Sequence, residues 1–386
     1  MITYSDVERL LGYRSAAAPV LSIYLRVPAD PAGIRELGAR VGELIALAAR
    51  ADGDGDGDGD GRRARQLSGD EEDYARKLLE VHGREWLGHT AAIFVSAELG
   101  LSEAFGLPCE VPDRAVLAGR PHIRPLLVAL QRCPVYYAVV ADRRHAWLFR
   151  VAGGEIETTG TSDQPAQERS PGFGGWYGLE SYRVGERAAG LAHQHYHVTV
   201  ALLERALRPG GQEPLVIGGH EETIAQFSAA LPVGLRDRVV GSFRVDPHTM
   251  TPAIVRDLAA PIVAGWVRDQ EERVAVQIRQ DAWRADPLTV TGPRPVIAAI
   301  GQHAVQTLLV PVGGTIPGFV CQRCGVLSST GTDCPDGPDE ARWVPDLIEE
   351  MVVRAMNDGG RVEAVADPPG DVAAHLRYPV PEENGR

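Results

Sequence analysis

Three groups of residues have the types and spacing that chemistry needs. The first lies in SPGFGGWYGLESYRVGER, which starts at Ser170. Pro171, Gly172, Gly174, Gly175 and Gly178 fall within eight residues, a density of breakers that neither a helix nor a central strand tolerates. This loop also carries Phe173, Trp176 and Tyr177, with Tyr182 close behind. Aromatic rings on a glycine-rich loop can stack on unpaired bases. Arg183 and Arg187, one helical turn apart, would meet phosphates just behind the tip. The bland alternative is a surface loop whose aromatics fold back on their own domain.

The second group is Cys321, Cys324 and Cys334 in the insertion 321–338. A CxxC pair on a tight turn, with Gly325 after it, suits tetrahedral zinc. A zinc ribbon would place its fourth cysteine at 337, where the chain has Gly337. Asp333, Asp336 or a distant histidine such as His303 could complete the shell, and a bound Zn2+ and the vestige of one are both open. No strand–CxxC–helix context supports a thioredoxin-like reading. The third group is His193, His195 and His197. His193 and His197 share a helix face at the zinc-binding spacing but lack the Glu of HExxH, so ordinary surface and packing histidines are the expectation.

Two further stretches are bland. Gly218-Gly219-His220 follows an apolar run but fits neither GxGxxG nor GxxxxGK[ST], so it reads as a strand-to-helix turn. In DGDGDGDGDG, residues 52–61, a calcium loop starting at Asp54 would need Glu twelfth and has Arg65, which leaves an acidic linker. No Ser nucleophile elbow is present.

The elements that must position these groups follow from periodicity. In the first 133 residues Val20–Leu25 reads as a strand, 34–50 as a helix, 71–86 as a helix and Thr90–Ser96 as a buried strand. From 134 to about 250, strands are expected at Tyr136–Ala141, Ala146–Val151, Glu155–Thr158, 214–218 and 239–245. Helices are expected from Leu179 to about Leu207 and over 221–231. From 251 to 386 a long helix, Thr251–Trp283, precedes a helix over 295–305, a strand at 307–310, a helix over 345–358 closed by Gly359-Gly360, and strands at 362–365 and 373–378. Strands alternating with helices predict an α/β chain with covered sheets.

The loop and this order of elements resemble the archaeal and eukaryotic class-1 release factors. From roughly Pro134 onward the chain is similar to the bacterial release-factor-like family related to Pelota and Vms1. YYAVVADRRHAWLF, Tyr136–Phe149, looks like that family's opening hairpin, and LVIGG, Leu215–Gly219, like the strand after the loop's helix. The resemblance implies three α/β domains, 1–133, 134–250 and 251–386. The middle one would have an RNase H-like sheet carrying the loop 170–178, and the last would be an α/β/α sandwich that binds partners. It implies contact of Gly174, Gly175, Trp176, Tyr177, Tyr182, Arg183 and Arg187 with ribosomal RNA, with tRNA and a translational GTPase as further partners. In the release factors a Gly-Gly-Gln loop positions water on the peptidyl-tRNA ester; here Trp176 stands in place of glutamine. Its indole offers an N–H donor and no carbonyl acceptor. One expectation is therefore a factor that occupies stalled or dormant ribosomes, in rescue or hibernation, without hydrolysis. The others are a peptidyl-tRNA hydrolase and a stress-associated protein that has lost ribosome binding. No stop-codon-reading motif is visible in the N-terminal segment.

Composition sets the outer bounds. At 386 residues, 44% hydrophobic and 24% charged, the chain is an ordinary globular sequence with room for several cores. The net charge of −13 argues against a generic nucleic-acid binder, yet residues 131–260 carry 13 Arg against 14 Asp and Glu, a near-neutral middle that permits local RNA contact. No run of about eighteen apolar residues predicts a membrane span, and no secretory signal opens the chain, so the cytoplasm is expected.

Overall fold

The computed structural model describes residues 2–15, 19–53, 69–163, 177–207, 211–321, 323–331 and 341–381, with backbone alone at 35, 51–53, 69 and 177–189. The fold is α/β throughout. It gathers into two compact units, one from Met1–Arg132 together with Asp269–Arg386, the other from Cys133–Arg268.

In the first unit, β1 (Val20–Arg26), β2 (Thr90–Ser96), β3 (Leu101–Leu107) and β4 (Arg114–Ala118) form an antiparallel sheet ordered β3-β2-β1-β4. Alternation along β1 sends Leu21, Ile23 and Leu25 to one face, where α2 (Ile34–Gly53) and α3 (Gly69–His82) cover them through Leu37, Val41, Ala75 and Leu79. Val20 and Tyr24 point to the other face and join a second core. That core also contains Val7 and Leu10 of α1 (Tyr4–Leu11) and Leu126 of α4 (Arg124–Arg132).

The second core is shared by both ends of the chain. It runs on into α9 (Pro293–Gly301), α10 (Leu347–Asn357) and a four-stranded sheet ordered β10-β16-β11-β15. These strands are β10 (Thr289–Thr291), β11 (Val305–Pro311), β15 (Arg361–Val365) and β16 (Ala373–Leu376). Leu308 and Val310 face the shared core; Leu309 between them meets Ala275 and Ile278 of α8 (Pro252–Trp283) on the opposite face. The result is the expected α/β/α layering. A polar seam reinforces it. Arg124 donates to Asp346 Oδ2 at 2.8 Å and to the Gly314 carbonyl at 2.7 Å. Glu349 accepts from the Ile123 and Arg124 amides at 2.6 and 3.1 Å, a carboxylate on the N-terminus of α4. The Gln131 side chain brackets Ala364, donating to its carbonyl at 2.7 Å and accepting from its amide at 2.8 Å, so it pairs with edge strand β15.

The second unit holds one sheet ordered β7-β6-β5-β8-β9: β5 (Tyr136–Ala141), β6 (His145–Ala152), β7 (Glu155–Asp163), β8 (Leu215–Gly219) and β9 (Val239–Arg244). Strands β5, β8 and β9 are mutually parallel, while β6 and β7 meander antiparallel from β5. This is the order expected of an RNase H-like sheet. Tyr137 and Val139 face α5 (Tyr177–Ala206) and α6 (Glu221–Ala230); Tyr136, Ala138 and Val140 face Val255, Ala259 and Val263 of α8. A strand buried on both faces is what the unbroken apolar run YYAVVA encodes.

Several boundaries differ from periodicity. The helix expected over 295–305 ends at Gly301, because His303 takes a positive φ of 55° and starts β11 at Val305. β7 runs to Asp163 rather than Thr158, with a register shift between Leu148 and Phe149 that absorbs one residue. The insertion containing Cys321 is a small sheet of β12 (Gly318–Cys321), β13 (Leu327–Ser328) and β14 (Ala341–Val344), ordered β13-β12-β14.

Candidate functional site: the loop between β7 and α5

The glycine-rich stretch connects edge strand β7 to α5. Gly174, Gly175 and Trp176 lie outside the described residues. Tyr177, Tyr182, Arg183 and Arg187 lie on the first turns of α5, whose helical backbone sets Arg183 and Arg187 one turn apart. With 30 residues α5 is about 45 Å long. Its buried stripe, Ala192, Tyr196, Val200 and Leu203, anchors the second half on the sheet, and Leu207 just past its end joins the same core.

A buried polar clasp joins the two elements that carry the loop. Ser162, next to the end of β7, contacts His195 and Thr199 of α5, and all three are buried. The proton positions follow from the acceptors. Thr199 donates its hydroxyl to the His195 carbonyl at 3.0 Å, since a carbonyl can only accept. Ser162 must then donate to Thr199 Oγ1 at 3.1 Å. His195 is left to supply an Nε2–H, shared between Ser162 Oγ at 3.1 Å and the Ser162 carbonyl at 3.2 Å. That assigns the Nε2–H tautomer and leaves Nδ1 bare, in agreement with its lack of a partner among the described residues.

The clasp sits at the carboxyl edge of the parallel strands. Register places His145, at the start of β6, opposite Asp163. There Asp142 accepts from the Arg144 and His145 amides at 2.5 and 2.6 Å and lies 3.3 Å from His145 Nδ1. Partial burial alone would raise its pKa, but the two amides and His145 outweigh that and hold Asp142 below the usual carboxylate value. Arg143 pairs with Glu222 at 2.7 Å, and Tyr196 donates to Gln226 at 3.3 Å, which ties α5 to α6.

Gly218 and Gly219, weighed from the sequence as a phosphate loop, have packing reasons to be glycine. A Cβ on Gly218 would stand 2.5 Å from the Phe243 ring. One on Gly219, at φ 146°, would stand 2.6 Å from the Ala141 carbonyl. The strand-to-helix turn reading describes them.

At the cysteine insertion, Cys321 closes β12, buried, and Cys324 is exposed. The Cys324 amide donates to Cys321 Sγ at 3.4 Å, and Gly325, at φ 75°, donates to the Cys321 carbonyl at 3.0 Å. An N–H directed at sulfur favours a thiolate, the form that binds zinc. Cys334 lies outside the described residues, and so do Asp333, Asp336 and Gly337. Among the described residues no three His, Cys, Asp or Glu side chains gather as a metal site. His303 is 2.9 Å from Asp358.

The sheet order β7-β6-β5-β8-β9, with a 30-residue helix between β7 and β8, is the frame on which the comparisons bear. Residues 121–262 match the family model of bacterial archaeo-eukaryotic release factor family 10, so this part of the chain is similar to bacterial release-factor-like proteins of the archaeo-eukaryotic kind. Comparison with curated proteins gives no match. Among solved structures, an archaeal translation termination factor, aRF1, is 15% identical, with 97% of each chain covered and a TM-score of 0.23. Pelota of Archaeoglobus fulgidus is 11% identical over 77% of this chain and 81% of its own, TM-score 0.36. Dom34 of S. cerevisiae, a translation termination-like factor involved in RNA quality control and interacting with Hbs1, is 10% identical over 78% and 84%, TM-score 0.41. These likenesses stand as likenesses only. No described helix is long and apolar enough to cross a membrane.

The clasp is the structural feature of this site that periodicity missed. His195 sits beside Tyr196 on the buried stripe, a position that marks it as interior, but nothing local names Ser162 as its partner.

Proposed function

We propose that this chain is a ribosome-associated translation factor acting on stalled or dormant ribosomes, and that it sets its glycine-rich aromatic loop in the A site and peptidyl-transferase region without hydrolysis. The family match over 121–262 carries this reading. The loop's position, between a clasped edge strand and a 30-residue helix, supports it. Trp176 and Tyr177 stack on bases of ribosomal RNA, and Arg183 and Arg187 meet phosphates behind them. Trp176 has no side-chain amide to orient water on a peptidyl-tRNA ester, so occupation rather than cleavage is the activity assigned. A translational GTPase docking on residues 251–386, and zinc held by Cys321, Cys324 and Cys334 as a structural ion, complete the proposal. The turn at Cys321, with an N–H on its sulfur, fits that ion.

Cosedimentation of the full chain with purified ribosomes tests the reading, with wild type beside a variant whose 170–178 segment is replaced by a serine-rich one of equal length. Pelleting of wild type and a weaker fraction for the variant are expected. Absence of wild-type pelleting at near-physiological salt would overturn ribosome association. Release of a nascent chain from stalled complexes at the rate of a true release factor would establish the hydrolase instead. Metal analysis of freshly purified protein decides the zinc.

A further inference from the structure

We propose that His193 and His197 of α5 form a two-imidazole site for a divalent late transition metal with tetragonal preference, Ni2+ or Cu2+. Both side chains are exposed, on the face of α5 opposite the buried stripe of Ala192, Tyr196 and Val200. Their Nε2 atoms are 3.1 Å apart, with ring centroids at 4.6 Å and planes at 84°. Among the described residues each imidazole has the other as its hydrogen-bond partner, and no carboxylate pairs with either.

This geometry is that of a chelate. Metal–imidazole bonds of about 2.1 Å to two nitrogens 3.1 Å apart subtend about 95° at the metal. That angle is close to the right angle between adjacent ligands in square-planar or octahedral coordination, the geometries that Cu2+ and Ni2+ take. The neighbouring turns leave the approach open. One turn back stands Gly190, whose added Cβ would meet nothing within 4 Å, and one turn on stands Ala201. The helix is held through its other face, so the two backbone positions are fixed before any metal arrives, and a turn of both exposed rings aims the Nε2 lone pairs at one point.

Binding conserves protons in the neutral pair. Without metal, one Nε2–H donates to the other Nε2. With metal, both Nε2 atoms present lone pairs, and the donor's proton moves to its solvent-facing Nδ1. Two ligands leave the other positions to water or to a ligand from outside the chain. The site is independent of ribosome binding and adds a metal-responsive clip to the helix that leaves the loop.

Titration calorimetry with NiCl2 tests the proposal on the untagged full chain after chelator treatment and dialysis. His193→Ala, His197→Ala and, as a control elsewhere in the same unit, His248→Ala are run in parallel. Beyond any Ni2+ that Cys321, Cys324 and Cys334 take up in every variant, one equivalent is expected to bind wild type and the control alike and to weaken at least about tenfold in either of the first two variants, because each removes half of the chelate. Hydrogen exchange should slow at the amides of residues 190–200 when Ni2+ is added to wild type, and stay unchanged in those two variants. Equal affinity in wild type and both variants, or no Ni2+ bound by wild type beyond what the variants bind, would overturn it and leave an imidazole–imidazole hydrogen bond. Circular dichroism confirms that the variants keep their helix.

Discussion

The assignment of an Nε2–H on His195 makes a prediction that separates two near-isosteric substitutions. In His195→Gln the side-chain amide reaches the place of Nε2 and can still donate to Ser162. In His195→Asn it reaches only the place of Nδ1, which has no partner among the described residues. The asparagine variant therefore loses both contacts to Ser162, at 3.1 and 3.2 Å, while Ser162 keeps Thr199. Two neutral contacts on a buried centre, one leaving a strand carbonyl short of a donor, are worth about 1–3 kcal/mol. Because the two units need not unfold together, a global midpoint is a poor gauge, and native-state hydrogen exchange read by mass spectrometry is the better assay. For His195→Asn, protection at Gly160–Asp163 and around Thr199 should fall by about 5- to 150-fold. His195→Gln should keep most of it, and β15, in the other unit, should not respond. Equal loss of protection in both variants would refute the tautomer; no loss in either would refute the clasp.

Gly218→Ala should destabilise the middle unit by about 1–3 kcal/mol, since a Cβ 2.5 Å from the buried Phe243 ring forces the core to shift; thermal unfolding followed by tryptophan fluorescence reads it. Arg124→Met should cost the first unit about 3–5 kcal/mol in urea unfolding, because Asp346, 9% exposed, would keep among the described residues the contact to His122 at 3.4 Å and the charge of Arg114. Burial raises the Asp346 pKa, but the His122 hydrogen bond and the Arg124 charge outweigh it and hold the group below 3.8. Its contribution is thus full above the unfolded value and lost as pH falls through the lower folded one; between pH 7 and pH 3, Asp346→Asn should lose less stability than wild type. Trp176→Ala should weaken ribosome binding by about 1–3 kcal/mol, one stacked base, in cosedimentation. If the clasp acts by presenting the loop, His195→Asn should add little to the ribosome-binding loss in a Trp176→Ala background, whereas fully additive losses would make it a stabilising contact alone.

Where one element's own side chains decide its structure, the sequence was legible. The long helix expected over Thr251–Trp283 is observed over Pro252–Trp283, and Tyr136–Ala141 is a strand with the limits expected of it. β3 and β4 went unread because LSEAFGL and RAVLA mix apolar and polar residues without clean alternation; what makes them strands is pairing with β2 and β1. The shared core was illegible for a deeper reason. Periodicity shows that α10 has an apolar face, but not that residues near its start meet Arg124, more than two hundred positions earlier in the chain.

The same division runs through the candidate site. Spacing alone sets His193 and His197 on one face, because helical geometry fixes i and i+4 whatever surrounds them. His195, two positions from each, points into the protein, and its partner is chosen by where β7 ends. β7 outran expectation by five residues, and Ser162 lies within that extension. TTGTSD has no apolar face to signal a strand, yet it lies at the sheet edge and pairs with β6 on one side only. An edge strand of this kind is specified by its neighbour rather than by its own burial, so the residue that fixes the loop's departure point is one that local pattern could not supply.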